Sequence, residues 1–311
     1  MPILLATDFD AVEQRLWLEL LQSELPDESF VGDRHAADDA TIDIAIVANP
    51  PPGALCGLTN LRLIQSLWAG VDKLLADPTV PSGVPIARMV DPAMNAAMAE
   101  TALWAVLSLH RGFFTYAAQQ RAVQWQPLVQ RRADEVAVAV LGLGQMGRTV
   151  ALRLADQGYR VSGWSLRPTT LPSIDTCTGD HALKPLLSRA DIVVNLLPLT
   201  PATRGLLCAP MFDVMRRGAS LVNLARGAHV VDADLLAALD RGHLLHAVLD
   251  VFTTEPLAPD HPYWLHPSVT MLPHAAAQTD ARSAAAVAAM NVRRLRAGEA
   301  PEDRVDRARG Y

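Results

Sequence analysis

Cysteine is nearly absent: Cys56, Cys177 and Cys208 are the only three in 311 residues, and none forms a Cys-x-x-Cys pair. An odd, scattered set fits neither a disulfide framework nor a zinc site, and it suits a reducing compartment. Lysine is scarcer still, with only Lys73 and Lys184. The longest apolar stretch, near 96–109, is interrupted by Glu100 and is too short to cross a bilayer. The chain starts without a basic stretch leading into an apolar core, since Asp8, Asp10 and Glu13 follow at once. No signal peptide is therefore expected, and a cytoplasmic location is. Positive charge is not in excess: the net charge of -6 argues against a polyanionic partner. Arg293, Arg294, Arg296, Arg304, Arg307 and Arg309 alternate with Glu299, Glu302, Asp303 and Asp306, the pattern of a solvated face rather than a nucleic-acid surface.

What remains is apolar and long. Half of the residues are hydrophobic, and a chain of this length ordinarily divides into two domains. Apolar runs alternate with helix-like segments almost throughout, the pattern of parallel sheets covered by helices. In the first part, strands are expected at 3–6, 42–47, 61–67 and 86–89, with helices at 12–25 and 71–75. The span 93–121 reads as long and mostly helical, suited to linking two domains. A second α/β unit opens with the apolar strand 136–141, followed by a glycine turn and a helix to Asp156, with Gly158 as its stop. Further strands are expected at 159–164, 191–196, 219–224, 244–249 and 269–272, with helices at 183–188, 210–216 and 233–240. A final helix, 282–296, is expected to return to the first domain. The expected division is thus 1–102 plus 282–311 for one domain and 103–281 for the other.

The glycine turn Gly142-Leu143-Gly144-Gln145-Met146-Gly147 follows a buried-type strand and opens a helix, the context that a dinucleotide-binding motif requires. The first glycine permits the tight turn, the second admits a pyrophosphate to the backbone, and the third lets helix and strand pack closely. A carboxylate for the ribose 2′-hydroxyl is usual about 20 residues further on. Here the sequence is Trp164-Ser165-Leu166-Arg167, without an acid. Ser165 and Arg167 suit a 2′-phosphate, so NADPH is expected, with NADH as the weaker alternative. The duller reading makes Ser165 a turn former and Arg167 a solvated loop residue.

Three residues from separate strand ends carry the chemistry. Arg226 stands in Asn223-Leu224-Ala225-Arg226-Gly227, Glu255 in Asp250-Val251-Phe252-Thr253-Thr254-Glu255-Pro256, and His274 in Leu272-Pro273-His274-Ala275. A guanidinium fork matches a carboxylate. Histidine can give a proton to a carbonyl oxygen near neutral pH, and a neighbouring carboxylate orients it and favours its charged form. Asp250 could accept a hydrogen bond from a nicotinamide carboxamide or could cap the next turn. The stretch 197–203, with Leu197, Pro198 and Thr203, could lie against the cofactor or could be a plain loop, and Ala225 is placed beside it. His229, His243, His246, His261 and His266 show no evident partner and read as surface or loop residues. None has metal-ligand spacing, and hydride transfer calls for no metal.

These motifs, together with Trp68-Ala69-Gly70-Val71-Asp72 and Leu196-Leu197-Pro198-Leu199-Thr200, resemble those of the D-isomer-specific 2-hydroxyacid dehydrogenases over essentially the whole chain. Trp125-Gln126-Pro127-Leu128, Trp164-Ser165-x-Arg167 and the terminal Val305-Asp306-Arg307-Ala308-Arg309-Gly310-Tyr311 look most like the bacterial glyoxylate/hydroxypyruvate reductase A group within that family. The resemblance implies an α/β protein with a Rossmann dinucleotide-binding domain, a discontinuous flavodoxin-like substrate domain and a homodimer. It also implies a small 2-oxoacid such as glyoxylate or hydroxypyruvate as substrate, bound by Arg226, His274 and the backbone near Ala69 and Gly70. Trp68 departs from the family pattern, where a small residue is common; it either borders the pocket or points into the domain core. Reduction of bulkier oxoacids such as phenylpyruvate or branched-chain oxoacids stays open. So does a nucleotide-sensing binding protein of the same fold. The glycine turn also resembles that of β-hydroxyacid dehydrogenases, but those use a catalytic lysine, and neither lysine here lies near a suitable motif.

Overall fold

The computed structural model describes residues 1–311, which form two compact units, 1–94 with 279–311, and 95–278. In the first unit, β1 (Ile3–Thr7), α1 (Ala11–Glu24), β2 (Phe30–Val31), β3 (Ile44–Ala48), β4 (Leu63–Ser66), α2 (Asp72–Ala76) and β5 (Ile86–Ala87) follow one another. The five strands are all parallel, in the order β2-β1-β3-β4-β5. All of β3 and β4 and most of β1 is buried, as expected for a parallel sheet with both faces covered. α1 starts at Asp10, whose Oδ1 accepts from the amides of Val12 and Glu13 at 2.8 and 2.9 Å.

α3 (Pro92–Arg111) runs from the first unit into the second. The single long helix expected over 93–121 is instead two, because Gly112 adopts φ +71 and α4 (Phe113–Arg121) starts anew. The second sheet follows with β6 (Ala137–Leu141), α5 (Gln145–Asp156), β7 (Arg160–Ser165), β8 (Asp175–Thr178), α6 (Asp180–Leu187), β9 (Ile192–Asn195), α7 (Ala209–Phe212), β10 (Ala219–Asn223), α8 (Asp232–Asp240), β11 (Leu244–Leu249) and β12 (Val269–Met271). Its seven parallel strands run β12-β11-β10-β9-β6-β7-β8. The strand order therefore reverses between β6 and β9, and ligands bind at the carboxyl edge at such a point. Gly158, at φ +86, ends the helix that begins there.

α9 (Ala281–Arg296) returns to the first unit. Its buried alanines (Ala284, Ala285, Ala288, Ala289) allow close packing, and polar contacts fix its register. Asn291 Nδ2 donates to Gln65 Oε1 at 2.7 Å with both residues buried. Arg296 pairs with Glu28 at 2.7 Å and with the buried Asp43, and Ser283 Oγ donates to Asp91 at 2.7 Å. Two strands had not been anticipated: β2 is only two residues long, and β8 (Asp-Thr-Cys-Thr) lacks an apolar run. No helix is long and apolar enough to cross a membrane.

Candidate active site

The glycine turn joins β6 to α5 at the switch point of the second sheet. Gly142 adopts φ +93, and a Cβ there would sit 2.7 Å from the Leu196 carbonyl oxygen. A Cβ at Gly147 would sit 1.7 Å from the Gly142 carbonyl oxygen, so the helix can approach the turn only without a side chain. Around Gly144 the space is open, with nothing within 4 Å of a Cβ. Gly144 is the N-cap of the twelve-residue α5 and contributes no side-chain cap, which leaves the first-turn amides to a ligand. A tight turn, open space at the middle glycine and an uncapped helix start together fit a pyrophosphate. Gln145 is exposed there, whereas Met146 is half-buried against the core.

At the end of β7, Ser165 Oγ donates to the Arg167 carbonyl at 2.5 Å and lies 3.3 Å from Thr169 Oγ1. The serine thus shapes the loop from which the exposed Arg167 projects. Thr203, expected beside a cofactor, is buried and donates to the Pro198 carbonyl at 2.7 Å. It also accepts from the Thr200 amide at 2.9 Å, so it fastens the 197–203 loop from inside. Leu197 is likewise a core residue, and Pro198 is the more exposed of the two.

His274 and Glu255 meet. His274 Nδ1 lies 2.8 Å from Glu255 Oε2, while Glu255 Oε1 accepts from the Phe252 amide at 2.9 Å. The carboxylate is therefore fixed at both oxygens, and it sets the Nδ1–H tautomer of the ring. The His274 side chain is half exposed, which leaves Nε2 for proton delivery. His274 has φ +54, a left-handed conformation unusual for a residue with a side chain. Asp250 holds it there: its carbonyl accepts from the His274 amide at 2.8 Å, and its Oδ1 accepts from the Ala275 and Ala276 amides at 2.7 and 3.1 Å. Burial pushes the Asp250 carboxyl up, against the pull of those two amides and of the His274 imidazole. Of the two roles open to Asp250 in the sequence, these contacts build the turn-holding one.

Arg226 follows β10 and is half-buried, with Nη1 donating to the Ala225 carbonyl at 2.7 Å. Its backbone is held by a chain of buried amides. Asn195 Nδ2 donates to Asn223 Oδ1 at 2.9 Å, and Asn223 Nδ2 donates to the Arg226 carbonyl at 3.1 Å. Asn195 Oδ1 accepts from the Leu197 amide at 3.3 Å. Gly227 brings this loop against the next: a Cβ there would lie 1.9 Å from Phe252 C, two strands' ends in direct backbone contact. The loops of Arg226 and Glu255 therefore touch, and Glu255 in turn holds His274, which lies on the loop after β12.

His229 was expected at the surface without a partner; it is fully buried. Its Nδ1 faces the Arg226 carbonyl at 3.1 Å and its Nε2 faces the Pro198 carbonyl at 3.2 Å. The signal in the sequence was its place within Ala228-His229-Val230-Val231, three residues past the arginine. The other four histidines also have partners: His243 with the Phe212 and Met215 carbonyls, His246 with Thr270 and the Phe114 ring, His261 with Asp232, and His266 with Asp240. In the sequence Asn223 stands out only as the first residue of the arginine motif and Asn195 not at all, because their pairing joins two strands 28 positions apart.

In the first unit, Trp68, Ala69 and Gly70 form a half-exposed turn after β4. Ser66 Oγ donates to the Trp68 carbonyl and accepts from its amide, both at 3.0 Å. The Trp68 ring stands edge-on to Phe9 at 6.1 Å, and Phe9 in turn stacks on the buried Trp17.

Residues 103–276 match the model of the D-isomer specific 2-hydroxyacid dehydrogenase NAD-binding domain. The chain is 37% identical over 304 residues to a glyoxylate/hydroxypyruvate reductase A of Yersinia enterocolitica, covering 96% of this chain and 97% of that protein. Among solved structures, a D-isomer specific 2-hydroxyacid dehydrogenase of Xanthobacter autotrophicus in complex with NADPH superposes with a TM-score of 0.94 at 39% identity, covering 100% and 99% of the two chains. An NADPH-dependent glyoxylate/hydroxypyruvate reductase of Sinorhizobium meliloti in complex with NADP gives 0.92 at 32% identity, with the same coverage.

Proposed function

We propose that this chain, which belongs to the D-isomer specific 2-hydroxyacid dehydrogenase family, reduces small 2-oxoacids with NADPH, glyoxylate and hydroxypyruvate first. The observation that carries the reading is the 2.8 Å contact between His274 and Glu255 in the same loop cluster as Arg226. The names of its relatives supply the substrate class and the cofactor. The second unit takes the cofactor, with the pyrophosphate at Gly142, Gly144, Gln145, Met146 and Gly147 and the 2′-phosphate at Ser165 and Arg167. Leu197, Pro198, Thr203, Ala225 and Asp250 form the wall beside it. When bound, NADPH supplies the hydride that the carbonyl carbon accepts. His274 gives a proton to the carbonyl oxygen from Nε2, and Glu255 stabilises the imidazolium that donates it. Arg226 holds the carboxylate and draws electron density from the carbonyl, an interaction that strengthens as charge develops on the oxygen. From the first unit, the backbone amides near Ala69 and Gly70 suit the substrate carboxylate, beside Trp68, whose own amide is held by Ser66 Oγ.

We also infer a homodimer. In the segment after α4, Val123, Trp125 and Val129 are 94%, 99% and 97% exposed, while the Tyr116 hydroxyl holds the segment by accepting from the Leu128 amide at 2.9 Å. Three large apolar side chains held out in this way suit a second copy of the chain. Light scattering is expected to give twice the chain mass, and Trp125→Ala is expected to shift it towards the monomer. A cytoplasmic setting suits Cys56, Cys177 and Cys208, which are all free thiols. The function is tested by following NADPH oxidation with glyoxylate, hydroxypyruvate, pyruvate and phenylpyruvate side by side. The first two should show the highest kcat/KM, and KM should be lower for NADPH than for NADH. Turnover of phenylpyruvate alone would move the substrate to the bulky class, and no turnover with any of the four would favour a nucleotide-sensing role.

A further inference from the structure

Arg226 and the 197–203 loop lie on neighbouring strand ends, β10 and β9, and one buried side chain joins them. His229 belongs to the 3-10 turn Gly227–His229, is 0% exposed, and places a ring nitrogen on each loop: Nδ1 at 3.1 Å from the Arg226 carbonyl and Nε2 at 3.2 Å from the Pro198 carbonyl. The loop it reaches is the one whose backbone closes on Gly142, so one ring ties the arginine to the wall of the glycine turn. We propose that His229 is a positioning residue for 2-oxoacid reduction, setting the aim of Arg226 through the carbonyl of that same residue. The inference rests on the functional reading above.

The two contacts are not equivalent. Neither carbonyl depends on the ring alone: Thr203 Oγ1 lies 2.7 Å from the Pro198 oxygen, and Asn223 Nδ2 and the His229 amide lie 3.1 and 3.2 Å from the Arg226 oxygen. The difference is in what each carbonyl moves: that of Arg226 belongs to the residue whose guanidinium must meet the substrate, so a small rotation of its peptide is carried to the end of a long side chain. Displacing a substrate-holding group by about 1 Å can cost on the order of a hundredfold in rate. A neutral imidazole has one N–H; here it sits on Nδ1, where it serves Arg226, with Nε2 packed against the Pro198 carbonyl.

Isosteric amides separate the two. The side-chain nitrogen of Asn falls near the Nδ1 position and that of Gln near Nε2, so His229→Asn keeps a donor for Arg226 and His229→Gln offers one to Pro198 instead. With NADPH and glyoxylate, His229→Gln is expected to lower kcat/KM about tenfold, the size of one lost buried hydrogen bond, while the NADPH Kd from fluorescence titration stays within about twofold. His229→Asn is expected to fall clearly less. In an Arg226→Ala background, His229→Gln is expected to cost less than about twofold, because no guanidinium is left to aim. All variants are compared at a temperature where circular dichroism shows them folded. His229→Phe, which keeps the ring's bulk and donates nothing, is expected to behave like His229→Gln and carries the test should the latter not fold. Equal losses in His229→Asn and His229→Gln, a full loss in the Arg226→Ala background, or a lower Tm with unchanged kcat/KM would each overturn the proposal. If the wild-type protein reduces no 2-oxoacid, the functional reading fails instead.

Discussion

Both units bury polar side chains, but for different ends. In the first, Ser66 holds the Trp68 turn, but most of the buried polar groups close the chain on itself: Asn291 with Gln65, Arg296 with Asp43, and Ser283 with Asp91 each join α9 to residues 192 to 253 positions earlier. In the second, Asn195, Asn223, His229, Thr203 and Asp250 lie at or beyond strand carboxyl ends and hold loops. Every such atom is satisfied in both units, so satisfaction itself does not mark function. What separates them is the partner. A buried polar group that holds another element is architecture, and one that holds the backbone of a half-exposed Arg or His belongs to a site.

The difference can be broken most directly at Arg226. Arg226→Ala is expected to lower kcat/KM for glyoxylate by about a hundredfold to a thousandfold, since two charge-assisted hydrogen bonds to a carboxylate are lost. Tm should hardly move, and near-normal turnover in the folded variant would show that the arginine is not at the substrate. Glu255→Gln comes next: it preserves shape but removes the charge beside His274, and kcat is expected to fall roughly ten- to hundredfold with NADPH affinity unchanged. On the architectural side, Asn291→Leu should cost about 1–3 kcal/mol in unfolding free energy, because it strands Gln65 and the Glu302 amide, which donates to Asn291 Oδ1 at 2.8 Å. Its kcat/KM is expected within about twofold of wild type, and a large kinetic loss would erase the contrast between the units.

The smallest effect concerns His246, stacked on Phe114 with ring centroids 4.6 Å apart. Burial, with His266 nearby, pushes its imidazole down to about 4. The unfolded chain then binds the extra proton between the usual histidine value of about 6.5 and about 4, so stability falls as pH drops through that window. His246→Phe should flatten the fall in Tm over this range, and an unchanged slope would show that the ring is not held neutral.

How far the sequence discloses the molecule depends on which forces act locally. β6 is a continuous apolar run and β10 and β11 are mostly apolar, and their burial leaves them little choice of structure, so their ends were legible to within a residue or two. The Gly142 turn was legible because Gly142 and Gly147 answer steric demands of the backbone, while Gly144 keeps its surroundings open. β2 and β8 were not, since they are edge strands set by pairing with β1 and β7 rather than by their own side chains. The break at Gly112 rests on a left-handed backbone at one glycine inside an otherwise helical composition. At the site, the chemistry of Arg226, Glu255 and His274 could be read from residue type and motif. The groups that hold their backbones were legible only in part: a turn-holding Asp250 was one of two readings open in the sequence, whereas His229 meets backbone atoms brought near only by the finished sheet.

The most direct measurement is the rate of NADPH oxidation by His274→Gln against wild type, with NADPH and glyoxylate both saturating and cofactor binding confirmed by fluorescence. Loss of the proton donor is expected to reduce kcat by roughly a hundred- to ten-thousandfold while NADPH still binds. A variant that turned over at the wild-type rate would contradict a proton delivered from the imidazole that Glu255 holds.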